Sequence, residues 1–510
     1  MTQIRASIHV LVEPGRRVSA RELWSEIAFD VAEKFSENYL YRESWGYRLL
    51  IRDTASISPD KTLARFRTID ARIRRQPGKP TLLDLSVGNL FCEAQSDPDQ
   101  RLHVVNDPKY AMWARHAGRI PLPEHVRFVD QFVAHVMDAG WMLEQAELSP
   151  FRVSPPRVRN ARSETWLPMR GFGSLARYPA VDVAADLDFV VVGKGGAALR
   201  AAASLEQAFS RSFPGGALAG ASVSCSEVVA SSAVSLVLLD ERDDLSQNLG
   251  MKDILRNAEA AGCRFKIAKA GSLAKPYAAQ NIAYDLFLIA GGRPWEPAVP
   301  QPAFCSIDAG HSAEQGKSRW VKVESDTHQR IFDIKAALTP LAEHVPRECV
   351  STLWPLQEGA IVCRDGRLAQ ERSLWEERAA LEDRPLIEAK KSPKAILWRT
   401  QGTTVVPAEF GDAVLDEHSD VLLQTVPQNI GDYIHPVLLT TRRGQAIEMA
   451  TAYLHQHAMP GLSLFHMSRL PGTLYLADLL SKMSSDGWPK AIGRGFRIPS
   501  LVPERTRTCI

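Results

Sequence analysis

The sequence predicts an α/β protein: a Rossmann-like parallel sheet followed by a ribonuclease-H-like domain, with a separate α/β region in front. Three observations predict it. From Leu187, DFVVVGKGGAALRAAASLEQAF reads as a buried strand, a Gly-rich turn and a helix, and strands then alternate with helices. From Phe304 the order becomes strand, hairpin strand, helix, strand. Two of those strands end on carboxylates, Asp308 and Asp365.

The elements follow in order. In residues 1–150, a mixed α/β region, Ala6 to Val12 alternates like a strand. Ser19 then caps a helix through ARELWSEIAFDVAEKF, and His125 to Leu143 has helical spacing. Residues 151–180 are rich in Arg and Pro with little periodicity and read as a linker. In 181–290, Val234–Leu239 and Cys263–Ala268 are further strands, with a helix from Leu249 to Ala261. In 291–510, Phe304–Asp308 pairs with Trp320–Glu324, a helix follows over Ile331–Val345, and Ala360–Cys363 is the next strand. Strands near 395–406 and 420–426 precede the helix GQAIEMATAYLHQH.

At 510 residues the chain has room for roughly two to four domains. No run of 18 apolar residues appears and the N-terminus lacks a secretion pattern. Seven scattered cysteines without a CxxC pair fit a reducing compartment, so a cytoplasmic location is expected. Net charge is only +2, yet arginines concentrate in RFRTIDARIRR (Arg65–Arg75) and RVSPPRVRNAR (Arg152–Arg162). Each run reads first as a solvated face, and second as part of a channel that tracks phosphates.

Carboxylates at strand ends meet at one edge of a sheet. Cleavage of a phosphodiester by two Mg²⁺ ions about 4 Å apart needs several of them to converge. Four segments then carry a family resemblance. Asn281 to Trp295 (NIAYDLFLIAGGRPW) resembles the helix and Gly-Gly-x-Pro-Trp turn that open the PIWI domain of Argonaute proteins. Phe304-Cys-Ser-Ile-Asp308 resembles its first catalytic strand, and Ile361 to Gly366 (IVCRDG) its "RDG" strand. Arg469 to Asp478 (RLPGTLYLAD) resembles its closing "LPxPxxYAD" helix. The resemblance covers about 185–510 as a MID domain (181–290) plus a PIWI domain (291–510). With no PAZ module in view, it points to a short prokaryotic Argonaute.

The resemblance also implies departures. The family's glutamate precedes the helix after the hairpin, and an alignment on Ile331–Leu338 puts Arg330 there. A guanidinium repels Mg²⁺. The fourth ligand is expected near His435, with Glu324 and Asp326 close but out of register. Two of four ligands, Asp308 and Asp365, imply a vestigial site with weak metal binding. For the guide 5′ phosphate the resemblance points to Lys252, Arg264, Lys266, Lys275, Gln280 and the C-terminal Ile510, with Mg²⁺ as a possible helper. Asp285 and Ile289 stand where the family often has lysines.

The implied function is recognition of single-stranded DNA through a small guide RNA, in defence against plasmids or phage. The implied partner is an APAZ-containing effector (TIR, sirtuin-like or nuclease), docked on 1–150 and the linker. Two alternatives stay open: an active guide-directed nuclease using Glu324, Asp326 or His435, and a Rossmann-type nucleotide-binding enzyme using Gly193-Lys-Gly195-Gly-Ala-Ala198. For the latter glycines a structural turn is the favoured reading. His455-Gln-His457 reads as packing.

Overall fold

In a computed structural model the chain divides into two compact units, one of residues 1–153 with 390–447, the other of 154–389 with 448–510. The structure describes residues 2–12, 18–35, 38–43, 46–58, 60–93, 117–167, 173–229, 233–239, 263–312, 316–341, 345, 347–366, 375, 378–379, 383–391, 393–426, 435–441, 444–460 and 468–481.

The first unit is built on six antiparallel strands in the order Asn38–Glu43, Gly46–Ile57, Leu63–Arg74, Thr81–Glu93, Ile8–Val12, Met142–Gln145. The helices Ala20–Lys34 and Leu122–Asp138 cover it. Leu23, Ile27 and Val31 of the first, with Val129 and Phe132 of the second, bury against Leu49, Ile69, Leu83 and Leu85. The first helix starts as expected: the Ser19 hydroxyl accepts from the Glu22 N–H, and the Glu22 carboxylate accepts from the Ser19 N–H. The strand expected over Ala6–Val12 is two strands, Thr2–Ala6 and Ile8–Val12. They part at Ser7, whose hydroxyl donates to the Leu85 carbonyl and accepts from the Ile396 N–H.

Residues 390–447 group with this unit, although the sequence division puts them with the C-terminal domain. Leu397–Gln401 pairs with Thr2–Ala6, and Asp412–Leu415 pairs with Ser149–Arg152. Pairings between segments so distant leave no local periodicity to read. The 151–180 stretch is likewise more ordered than a linker. Arg157–Arg159 pairs with Glu164–Trp166 and with Glu296–Pro297. Each strand is three residues or fewer and buries little beyond Val158, too short for a period to show.

The second unit contains a four-stranded, all-parallel sheet in the order Val223–Ser226, Phe189–Val192, Val234–Leu239, Arg264–Lys269, as a Rossmann-like domain requires. The helices Gly195–Ser212 and Pro276–Ile289 belong to it. In the Gly-rich turn Gly195 has φ +61°, a backbone conformation that favours glycine, while a Cβ on Gly193 would make only an ordinary contact with the Leu238 side chain at 3.4 Å.

The same unit holds five strands in the order Ile331–Pro340, Lys317–Ser325, Phe304–Ser312, Ile361–Asp365, Leu386–Lys390. The first three are antiparallel and the last three parallel, the ribonuclease-H-like plan. One face carries Val321, Val323 and Ile334 under Leu476, Ala477 and Leu480 of the helix Gly472–Ser481. The other buries Cys305, Ile307, Trp320, Trp354 and Trp375.

Two helices differ from expectation: the one expected over His125–Leu143 is Leu122–Asp138, with Met142–Gln145 a strand, and the other differs in kind. The helix anticipated over Ile331–Val345 is a strand to Pro340, and the helix is Arg347–Leu353. The turn 326–330 decides it. The Asp326 carboxylate accepts from the His328 and Arg330 N–H groups, and the Gln329 N–H returns to the Asp326 carbonyl. So tight a reversal lays the next residues along Lys317–Ser325, and the ladder overrides the helix propensity of Lys-Ala-Ala-Leu. No helix among the described residues is long and apolar enough to cross a membrane.

Candidate metal-binding active site

Asp308 lies in the strand Phe304–Ser312 and is buried. Asp365 ends the parallel neighbour Ile361–Asp365, in which Ile307 faces Arg364, so the two aspartates arrive level. Side chains alternate across a strand. Arg364 therefore takes the opposite face, where its guanidinium lies 5.2 Å from the Trp320 ring centre.

A third carboxylate joins them. The helix Gly472–Ser481 is fastened to the Asp308 strand by a 2.8 Å contact between the Ser306 and Thr473 hydroxyls. Asp308 is two residues beyond Ser306, roughly 7 Å along the strand. Asp478 is five residues beyond Thr473, roughly 7.5 Å along the helix. Equal advances from a common fastening bring the two carboxylates together. Asp308, Asp365 and Asp478 each place an oxygen within 4.8 Å of the others. Gly472 is required at the helix start, because a Cβ there would lie 2.6 Å from the Met459 sulfur and 2.9 Å from its Cβ.

Three carboxylates this close repel one another, and a divalent cation is the natural counter-charge. An all-oxygen set of hard donors suits Mg²⁺ or Mn²⁺. Beside the site Cys363 is fully buried, and burial, with Asp365 adding, pushes its thiol well above the usual range. The thiol is thus held neutral and unsuited to nucleophilic work.

The other residues proposed for this site stand elsewhere. Arg330 belongs to the hairpin turn and pairs with Asp326 at 2.8 Å. That turn follows Ser325, which faces Phe304, four residues or roughly 13 Å from Asp308. Arg330 therefore does not replace a metal ligand. Glu324 is fully buried and accepts from the Leu356 and Gln357 N–H groups and from Lys322. Asp326 caps the turn. His435 belongs to the first unit, where it meets the His125 ring edge-on. Sequence reasoning missed Asp478 although it closes the RLPGTLYLAD motif. An aspartate inside a helix lacks the strand-end signal that marks Asp308 and Asp365.

Compared by sequence, the chain matches no protein-family model and no curated protein. Solved structures do match. Clostridium butyricum Argonaute bound to a guide DNA and a 19-mer target DNA superposes with a TM-score of 0.68 at 10% identity, over 95% of this chain and 87% of that one. Drosophila Piwi gives 0.62 at 10% identity over 92% and 84%. Marinitoga piezophila Argonaute in complex with 5′ OH guide RNA and target DNA gives 0.61 at 10% identity over 91% and 85%. The chain has an Argonaute-like fold. The likeness extends well beyond residues 185–510, so it takes in much of the N-terminal region that the sequence motifs left out.

The GGRPW turn ends one helix and anchors a buried indole. The Gly291 N–H donates to the Leu288 carbonyl and the Gly292 N–H to the Phe287 carbonyl, ending the helix Pro276–Ile289. Trp295 is fully buried, and its indole N–H donates to the Ala458 carbonyl at 2.8 Å.

The candidate guide 5′-phosphate residues divide. Lys252 and Ile510 lie outside the described residues. Lys275 is exposed at the N-cap of the helix Pro276–Ile289, and Gln280 is half-buried in its second turn. Arg264 opens the last strand of the parallel sheet and is half-buried. Lys266 does not fit a phosphate role. It is buried, and its ammonium lies 2.9 Å from the buried Asp285 carboxylate. Asp285, at a position where the resemblance implies a lysine, is instead the ion-pair partner of Lys266. His455 bridges Gln301 and the Ser154 carbonyl, and His457 donates to the Leu454 carbonyl; both pack.

Proposed function

We propose that the chain is a guide-dependent nucleic-acid-binding protein, pairing a small guide RNA with single-stranded DNA, and that it cuts the paired strand. The Argonaute-like fold supports the first part. The convergence of Asp308, Asp365 and Asp478 carries the second, in place of a vestigial pair. Divalent ions held there would supply Lewis-acid activation of water and stabilise charge on the cleaved phosphate. The three carboxylates would hold and orient them. The helix after the hairpin begins at Arg347 and not at Ile331, so the glutamate that the resemblance implies ahead of it is sought there. In the sequence Glu343 precedes Arg347–Leu353, and it lies outside the described residues.

A wider role is proposed with this reading, resting on the motif resemblance to short Argonautes. It is prokaryotic defence against plasmids or phage, beside an APAZ-containing effector that target capture activates.

The test uses the full chain loaded with a guide. With Mg²⁺ or Mn²⁺, the wild type should cut a matched single strand and spare a scrambled one. Asp478→Asn should lose at least about 100-fold in cleavage rate, more than is typical for groups that only support a ligand, and keep target binding. Capture without cleavage by the wild type would leave only the effector-coupled role. Cleavage undiminished in Asp478→Asn would remove the three-aspartate site.

A further inference from the structure

We infer that the hairpin Arg157–Trp166 is a stacking platform for an unpaired nucleobase, with Trp166 beneath the base and Arg157 beside its phosphate. The inference rests on the nucleic-acid-binding reading and adds a site to it.

Trp166 is 54% exposed, although an indole ordinarily buries most of its area. It ends Glu164–Trp166, whose three residues are all exposed and which is an edge strand among the described residues. The platform is nevertheless held firmly. Trp166 faces Arg157 across the hairpin, and Val158 behind it is fully buried. The next residue, Leu167, is buried, and its N–H donates to the Pro156 carbonyl at 2.8 Å. Arg159 is tied to Glu296 at 2.6 Å. At the turn, the Arg162 guanidinium lies 3.7 Å from the Tyr178 ring centre, and the Ala161 N–H donates to the Tyr178 carbonyl.

The Arg157 guanidinium lies 5.6 Å from the Trp166 ring centre and also pairs with Glu164, both side chains about half exposed. So exposed an ion pair is weak and can be exchanged for a phosphate. A flat aromatic ring with an exchangeable cation over it offers a base a stacking surface and its backbone a counter-charge, whichever base it is. Two more arginines, Arg159 and Arg162, stand on the same hairpin. That local excess of positive charge favours a nucleic acid over a protein partner. The second arginine run of the sequence thus gains a role that its arginines, three of the four tied in ion pairs, would not by themselves suggest.

The experiment uses the full chain and a fluorescently labelled oligothymidylate strand, read by anisotropy. Trp166→Ala should weaken binding about 5- to 150-fold, the range for one base–aromatic stack, and Trp166→Phe should restore most of it. A strand carrying 5-iodouracil should crosslink to the peptide containing Trp166. Unchanged binding by Trp166→Ala, with crosslinks elsewhere, would overturn the platform and leave guided binding standing. Loss of only a copurifying protein from Trp166→Ala would overturn it in favour of a protein interface. Failure of the wild type to bind any single strand would overturn both readings.

Discussion

Lys266 and Asp285 show how one residue redirects another. A lysine near the phosphate pocket is a natural ligand on sequence grounds, but a buried carboxylate 2.9 Å away commits it. Asp285→Ala should therefore cost about 3–5 kcal/mol, because it removes the counter-charge from an ammonium buried in the sheet–helix interface. Replacing both residues, as Lys266→Met with Asp285→Leu, should recover most of that loss. Urea unfolding midpoints of the two variants check this, and equal destabilisation in both would contradict it. Residue-scale legibility follows the same logic. Asp308 and Asp365 were readable because each closes an apolar run in the sequence, although the strand of Asp308 continues to Ser312. Asp478 was not, because its place depends on the Ser306–Thr473 fastening, which joins residues 167 apart.

At the scale of elements, what was legible had a period or a cap. The helix after Ser19, the strand Val234–Leu239 and the hairpin partner of Phe304–Asp308 around Trp320–Glu324 all appear where the pattern puts them. The segment Ile331–Pro340 was misread because its composition favours a helix while a turn fixed by Asp326 makes it a strand. That error carried Arg330 into the metal site. Ties between distant elements were invisible. Arg74, at the end of Leu63–Arg74, is buried and holds Asp84 bidentately at 2.8 Å, Asp416 at 2.6 Å and Asp420 at 2.8 Å. It thereby joins the turn 416–420 to the N-terminal sheet. Arg74→Met should cost at least about 3–5 kcal/mol at neutral pH, since three buried carboxylates lose a shared cation. The loss should shrink on acidification, as protonation relieves their repulsion. Urea titrations at pH 7 and pH 4.5 measure both effects, and a loss that grows in acid would refute the assignment.

For the molecule as a whole, each compact unit carries a buried neutral histidine, so the two share a sensitivity to acid. In the first unit, His125 accepts the Val87 N–H at Nε2, 2.7 Å away, which places its proton on Nδ1. Burial, aided by His435 and Arg67, pushes its pKa down to about 3. In the second, burial pushes fully buried His457 down to about 4 against the opposing hydrogen bonds to nearby carbonyls. Both values lie below the ordinary 6.5. The unfolded chain therefore binds more protons than the folded one between pH 6.5 and the folded values. Stability contributed by these groups is complete above 6.5 and is lost as the pH falls toward 4 and 3. At pH 5 each histidine should cost about 2 kcal/mol relative to pH 7.5. Asp416, raised by burial against the pull of Arg74, acts in the opposite direction, so the whole-protein curve is a sum. A difference measurement isolates the histidine. His125→Gln retains an acceptor for the Val87 N–H and cannot be protonated. Its unfolding free energy should fall less than the wild type's between pH 7.5 and pH 5, by about 2 kcal/mol. Parallel curves for the two proteins would show that His125 does not set the acid sensitivity of the first unit.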